Sequence, residues 1–168
     1  PIDAVLLCNP NSPTGQACEA AAVRRLARLA ARQGLWCIVD ETFAEYANHA
    51  SILSERLPAR TIVLRSFTKF YGLPGLRAGY AVAKPRVIAR MAAQQPPWSV
   101  NMLAQRTALA ALQDVRHTER SLRFMERERA RFQKALSELP GCTVVPSAAN
   151  FLLMELPVGR KTVAVVST

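Results

Sequence analysis

Ala4-Val-Leu-Leu-Cys8 and Leu35-Trp-Cys-Ile-Val39, with Gln16 to Gln33 between them, decide the fold. Both flanking runs are short, apolar and non-alternating, as strands buried on both faces are. Between them Val23, Leu26 and Ala30 share one helical face, while Arg25, Arg28 and Arg32 share another. Gly34 follows as a helix stop. The pattern is a β-α-β crossover, and Thr61-Ile-Val-Leu64 supplies a third strand for the same parallel sheet. The fold class is therefore α/β.

Further along, Arg77 to Ala83 is expected to be another strand. Pro96-Pro97 breaks the chain, Ser99 is placed to cap, and a helix is expected from about Asn101 to Gln113. A longer helix follows from about Thr118 to Leu139, with Leu122, Met125, Phe132, Leu136 and Leu139 on one side and Pro140-Gly141 closing it. Thr143 to Val145 and Asn150 to Leu156 then form strands of a second, smaller α+β unit. The expected organisation is residues 1–113 as part of a large domain, 114–139 as a linking helix and 140–168 as the truncated start of a small domain. No internal repeat or low-complexity tract interrupts this order.

Composition excludes several classes. The chain has 168 residues, half of them apolar and a fifth charged, which rules out a disordered tail or a disulfide-stapled miniprotein. No apolar run nears the roughly 18 to 20 residues that span a bilayer, and no leader precedes the first strand, so no membrane role and no secretion are expected. The cysteines Cys8, Cys18, Cys37 and Cys142 have neither CxxC nor Cys/His spacing, so no metal site is expected and a reduced cytoplasm fits. A net charge of +10 raises nucleic acid as a partner. Arg and Glu are nevertheless interspersed from Glu119 to Lys134, as on a solvated helix, and the sequence carries no known nucleic-acid motif. The expectation is no nucleic acid. The chain starts at Pro1 and stops in the β-branched run from Val163, so a fragment is expected.

In an open parallel sheet, ligands bind at the carboxyl ends of the strands. The three runs end in Asn9-Pro-Asn-Ser-Pro-Thr-Gly15, in Asp40-Glu-Thr-Phe-Ala-Glu-Tyr46 and in Arg65-Ser-Phe-Thr-Lys-Phe-Tyr-Gly-Leu-Pro-Gly-Leu-Arg-Ala-Gly-Tyr80. Each alone has a plain alternative: a Pro/Asn turn, a helix-capping Asp40, a surface Lys69. Gly72, Gly75 and Gly79 do not form a GxGxxG dinucleotide fingerprint. Three such ends together point to one site.

In this order and spacing, the Asn-Pro-Asn-Ser-Pro-Thr-Gly turn, Asp40, the Ser66-x-x-Lys69 element and Arg77 resemble the fold-type I pyridoxal-phosphate enzymes, in the class I/II aminotransferase branch. The resemblance runs from about residue 4 to 157 and implies a parent protein about twice as long, acting as a homodimer. It implies Lys69 as the amine that holds the cofactor's aldehyde and later shuttles protons. Asp40 is implied as the carboxylate that keeps the pyridine nitrogen protonated, and Ser66 and Arg77 as phosphate ligands. The position preceding Pro-Thr-Gly, commonly an asparagine bonding the cofactor's phenolic oxygen, is Ser12 here, so Ser12 or Asn11 takes that contact. A tyrosine often stands three residues after the strand-end aspartate; here it is Phe43, which cannot donate to that oxygen.

Within the branch, Ser66 to Tyr80, Gln94-Gln-Pro-Pro-Trp-Ser-Val-Asn101 and Ala148 to Leu153 look most like the threonine-phosphate decarboxylases of cobalamin biosynthesis. This implies a small phosphorylated amino acid as substrate, with Trp98 and Asn101 as candidates for shaping the substrate side. An aminotransferase of the histidinol-phosphate type and a non-catalytic remnant are the alternatives. His49 and His117 match no catalytic position and are expected on surface or helix faces.

Overall fold

The computed structural model describes residues 2–157 and 165–167. Lys161 and the linker around it lie outside the described residues. Strand β1 (Ala4–Cys8) leads through helix α1 (Ala20–Arg32) to β2 (Trp36–Asp40), and β3 (Thr61–Ser66) follows. The order is β1-β2-β3-β4, with β1, β2 and β3 parallel and in the register Cys8↔Asp40 and Asp40↔Leu64. The expected crossover and parallel trio are present.

Helix α1 starts at Ala20 rather than Gln16, and residues 15–19 cross from the first turn to the helix in non-helical conformation. Its buried stripe is Val23, Ala27 and Ala30, closing on Cys37, Val39, Ile52 and Val63 to form the main core. Leu26 is only half-buried. Ala27 wins the central position because the helix must approach the sheet closely, and a methyl there fills the gap that a larger side chain would force open. Gly34 takes φ +75°, the left-handed conformation its helix stop requires.

Strand β4 (Gly79–Ala83) starts two residues later than expected and runs antiparallel to β3, pairing Ser66 with Gly79. The reason lies just before it. Pro74–Leu76 forms a short 3-10 turn, and Arg77 sits in the left-handed region at φ 50°, so the chain is still reversing there. Gly79 tolerates the tight return because a Cβ would lie 2.8 Å from the Arg65 carbonyl oxygen.

Helix α2 (Pro85–Gln94), which the sequence reading leaves unassigned, begins with proline in its first turn. Helix α3 (Met102–Gln113) is capped by Asn101, whose side chain accepts from the Ala104 amide at 2.8 Å. The expected cap, Ser99, lies outside the helix and instead accepts a hydrogen bond from Gln95. Helix α4 (Val115–Ser137) starts three residues early because Asp114 accepts from the His117 amide. Its Leu122, Met125, Phe132 and Leu136 are half-buried, whereas Leu139 lies past the helix and is exposed. Strands β5 (Thr143–Val145), β6 (Phe151–Glu155) and β7 (Val165–Ser167) form a separate antiparallel sheet.

Candidate active site at the strand ends

The carboxyl ends of β1, β2 and β3 and the loops beyond them converge. Asn9 anchors the first loop from inside. Its buried carboxamide accepts from the Cys18 amide at 2.7 Å and donates to the carbonyls of Cys18 at 3.0 Å and Ala50 at 3.1 Å. Its own amide donates to the Asp40 carbonyl at 2.9 Å. A buried carboxamide satisfied at both ends fixes the loop where it leaves the sheet. Beyond it, Asn11 donates through Nδ2 to Thr14 Oγ1 at 2.9 Å, and the Gly15 amide returns to the Asn11 carbonyl. Ser12 is exposed, with no side-chain hydrogen bond among the described residues. The alternative between Asn11 and Ser12 therefore stays open.

Asp40 is not a helix cap. Its Oδ1 takes both the amide (2.9 Å) and the hydroxyl (2.6 Å) of Thr42, and its Oδ2 accepts no hydrogen bond from the described residues. Cys8 stands beside it in register, and burial together with the Asp40 charge pushes the Cys8 thiol up from its ordinary value.

Ser66 ends β3, its hydroxyl 2.8 Å from that of Thr68 and accepting from the Thr68 amide at 3.2 Å. Lys69 follows, exposed; its carbonyl accepts from the Gly72 amide at 3.1 Å, while its ammonium makes no ion pair or hydrogen bond among the described residues and lies 6.0 Å from the centroid of the Phe43 ring. Phe43 meets Phe151 edge-on. Arg77 is exposed and makes one bond, to the Pro74 carbonyl at 3.2 Å. Its left-handed backbone is a strained conformation held beside the other site residues.

Trp98 is 96% exposed and packs on nothing described, and Asn101 is engaged as the α3 cap. The structure does not join either to the Asp40, Ser66 and Lys69 group. His49 is exposed, whereas His117 is half-buried: its ring stacks on Tyr71 and its Nε2 lies 3.3 Å from the Phe70 carbonyl. Helix α4 thus touches the residue that follows Lys69. A concavity of about 960 Å³ lies at the other end of the strands among Trp36, Arg60, Ile62 and Arg90. It encloses none of the strand-end residues.

Sequence reasoning passed over Glu41, Glu45 and Arg65. Arg65 is bound to Glu41 by Nε at 3.0 Å and Nη2 at 2.8 Å, and to Glu45 by Nη1 at 2.8 Å. Glu41 also accepts from Ser51 Oγ at 2.7 Å and the Ile52 amide at 2.8 Å. Burial pushes the Glu45 carboxyl up against the pull of Arg65, and its Oε2 is shut from water with no hydrogen-bond partner among the described residues. For Arg65, burial pulls down but the two carboxylates outweigh it and hold the guanidinium charged. Removing one member of such a set costs roughly 3–5 kcal/mol. The available signal was that two of these residues adjoin a recognised one in sequence: Glu41 follows Asp40, and Arg65 precedes Ser66.

The donor set suits pyridoxal 5'-phosphate. Asp40 keeps a free carboxylate oxygen for a ring nitrogen, Lys69 an unengaged amine, and Ser66 and Arg77 hydroxyl and guanidinium donors for a phosphate dianion. Comparison with known proteins agrees with this chemistry. A family profile for class I and II aminotransferases matches residues 1–165. The chain is 40% identical over 156 residues to threonine-phosphate decarboxylase of Salmonella typhimurium, covering 91% of this chain and 43% of that protein. It is 39% identical over 159 residues to histidinol-phosphate aminotransferase 1 of Ralstonia nicotianae, covering 91% and 41%. It spans less than half the length of both relatives.

Among solved structures it resembles the histidinol-phosphate aminotransferase of Clostridium acetobutylicum, with TM-score 0.87 and 30% identity over 93% of this chain and 48% of that one. It also resembles the histidinol-phosphate aminotransferase of Sinorhizobium meliloti in complex with pyridoxal-5'-phosphate, with TM-score 0.79 and 27% identity over 94% and 42%. The architecture is a partial fold-type I domain with a mostly parallel sheet. The chain belongs to the class I and II aminotransferase family, a family of pyridoxal-phosphate-dependent enzymes.

Proposed function

We propose that the protein of which this chain forms part is a decarboxylase of L-threonine O-3-phosphate, producing the aminopropanol phosphate used in cobalamin biosynthesis. Residues 1–113 supply part of its cofactor-binding domain, 114–139 the linking helix and 140–168 the start of the small domain, and the complete enzyme is a homodimer. The observation that carries the reading is Phe43: between Lys69 and Phe151 stands a ring without a hydroxyl. The 40% identity to a threonine-phosphate decarboxylase supports it.

Bound pyridoxal 5'-phosphate supplies an electron sink for the bond broken at Cα. Lys69 would hold the cofactor's aldehyde group through its amine and would carry the proton to the substrate's Cα. Asp40 Oδ2 keeps the ring nitrogen protonated while Thr42 fixes the carboxylate's rotation through Oδ1. Ser66 and Arg77 bind the cofactor phosphate, and Asn11 or Ser12 meets the phenolic oxygen. Trp98 and Asn101 stay candidates for the substrate side, although in this chain Trp98 is exposed and Asn101 caps α3.

A second reading is an aminotransferase of the histidinol-phosphate type, supported by the identity of 39% and the TM-score of 0.87 to members with that activity. The two are separated in the full-length enzyme. Threonine phosphate is expected to release carbon dioxide without accumulating pyridoxamine phosphate. Rapid pyridoxamine phosphate formation from histidinol phosphate, with threonine phosphate inert, reverses the assignment.

A further inference from the structure

We propose that Arg65, gripped between Glu41 and Glu45, is a positioning residue for the cofactor, setting the spacing between the strand ends that carry Asp40 and Ser66. The inference rests on the cofactor site proposed above and extends it to the opposite face of the sheet. Successive residues of a strand point to opposite faces. Asp40, Leu64 and Ser66 therefore lie on one side, whereas Val39, Glu41, Val63 and Arg65 lie on the other, where Val39 and Val63 enter the α1 core. Asp40 pairs with Leu64 across the two strands, and the Glu41 amide donates to the Leu64 carbonyl at 2.9 Å. That bond is the last of the β2–β3 ladder before both chains turn away.

Beyond the ladder, the Arg65 guanidinium takes over. It joins the residue after Asp40 to the residue before Ser66, and through Glu45 and the Ser51 hydroxyl it binds the 44–51 turn as well. Three elements are thereby held by one planar fork, which leaves little freedom for sliding or splaying. Arg65 touches neither Asp40 nor Ser66, so its influence passes through the backbone of its neighbours. A ring nitrogen and a phosphate on one rigid cofactor need their two ligands at a fixed separation, and a misplacement of about 1 Å costs on the order of a hundredfold in reactivity. Packing alone does not explain the cluster, since apolar residues of similar volume commonly fill such a place without loss of stability.

This suggests the test. Single substitution of Arg65 strands two buried carboxylates, so the informative variant is the triple Glu41→Leu/Glu45→Met/Arg65→Met, accompanied by Arg65→Lys. Three readouts are taken on the full-length enzyme: thermal midpoint, pyridoxal 5'-phosphate affinity by absorbance titration, and amide hydrogen exchange. The triple variant is expected to melt within a few degrees of the parent while binding the cofactor at least tenfold more weakly. Exchange is expected to quicken at the Glu41 and Phe67 amides and to stay unchanged at Val39 and Val63. Arg65→Lys, which keeps the charge but not the fork, is expected to recover less than half of the affinity. A stable triple variant that holds the cofactor within twofold of the parent, or whose strand-end amides exchange as before, overturns the clamp. If the parent full-length enzyme takes up no cofactor at Lys69, the site assignment fails instead, and the exchange data still decide whether the clamp orders the strand ends.

Discussion

The rings of Phe43 and Phe151 meet edge to face, centroids 5.0 Å apart and planes inclined by 78°. One belongs to the turn after Asp40 and the other to the first residue of β6, so the second sheet touches the candidate site through an aromatic pair. Such pairs contribute about 0.5–1.5 kcal/mol beyond their buried area. A double-mutant cycle of Phe43→Ala and Phe151→Ala, followed by denaturant unfolding, is expected to give a coupling of that size. Phe151→Ala alone is expected to destabilise by about 3–5 kcal/mol, as for a buried ring. Additive single effects remove the pair as a link between the sheets.

Lys69 is expected to be the lysine that carries the cofactor. It alone among Lys69, Lys84 and Lys134 follows a sheet strand within a Ser-x-x-Lys element and faces the Phe43 ring. Borohydride reduction of the loaded full-length enzyme and peptide mapping are expected to place the pyridoxyl label there. A label on another lysine refutes the assignment.

Gly15 is expected to resist substitution for two separate reasons. Its φ is +70°, and a Cβ built on it would collide with Ser147 Oγ. Its carbonyl also accepts from the Ala148 amide at 2.7 Å, docking the first loop on the second sheet's approach. Gly15→Ala is expected to lose about 2–4 kcal/mol, the sum of left-handed strain and overpacking. Ser147→Gly in the same chain removes the clash but not the strain, so it should restore part of the loss. Full restoration would show that the backbone conformation costs nothing.

Tyr46, Tyr71 and Tyr80 are expected to ionise late. Burial raises all three, and Tyr46, further opposed by Glu45, is pushed up to about 12. A pKa raised in the folded state means that the neutral hydroxyl is favoured by folding. The stabilisation is therefore complete below pH 10 and is lost as pH climbs from 10 through 12. Spectrophotometric titration of tyrosinate should show no normal tyrosine, and Tyr46→Phe should flatten the alkaline fall in stability. An ordinary titration near 10 for all three would contradict their burial.

The crossover was legible because buried parallel strands leave short apolar runs, and α1 exposes Arg25, Arg28 and Arg32 while burying Val23, Ala27 and Ala30; the buried Arg24, bonded to Ser54 and Glu55, was not legible. Asp40 and Lys69 were legible from their positions after such runs. Helix α2 was not, because the following Pro96-Pro97 drew the eye to a break rather than to Pro85 opening a helix. Ser99 was preferred over Asn101 as a cap because residue type alone ranks them equally, and only the fold decides which one meets a free amide. The antiparallel turn of β4 depends on Arg77 adopting a conformation that its residue type does not favour. The Arg65 cluster escaped because its members are scattered over 24 positions and become neighbours only in the sheet.

Asp40 and Glu41 differ by one methylene and stand next to each other, yet strand alternation assigns one to the candidate site and the other to the interior. A single-residue slip of β2 would exchange them, presenting a longer carboxylate to the ligand and a shorter one to Arg65, with no change in composition. Deletions or insertions anywhere between Trp36 and Asp40 should therefore be tolerated far less than substitutions that keep size and polarity. What the segment must preserve is its parity, Cys37 and Val39 toward the α1 core and Asp40 on the opposite face.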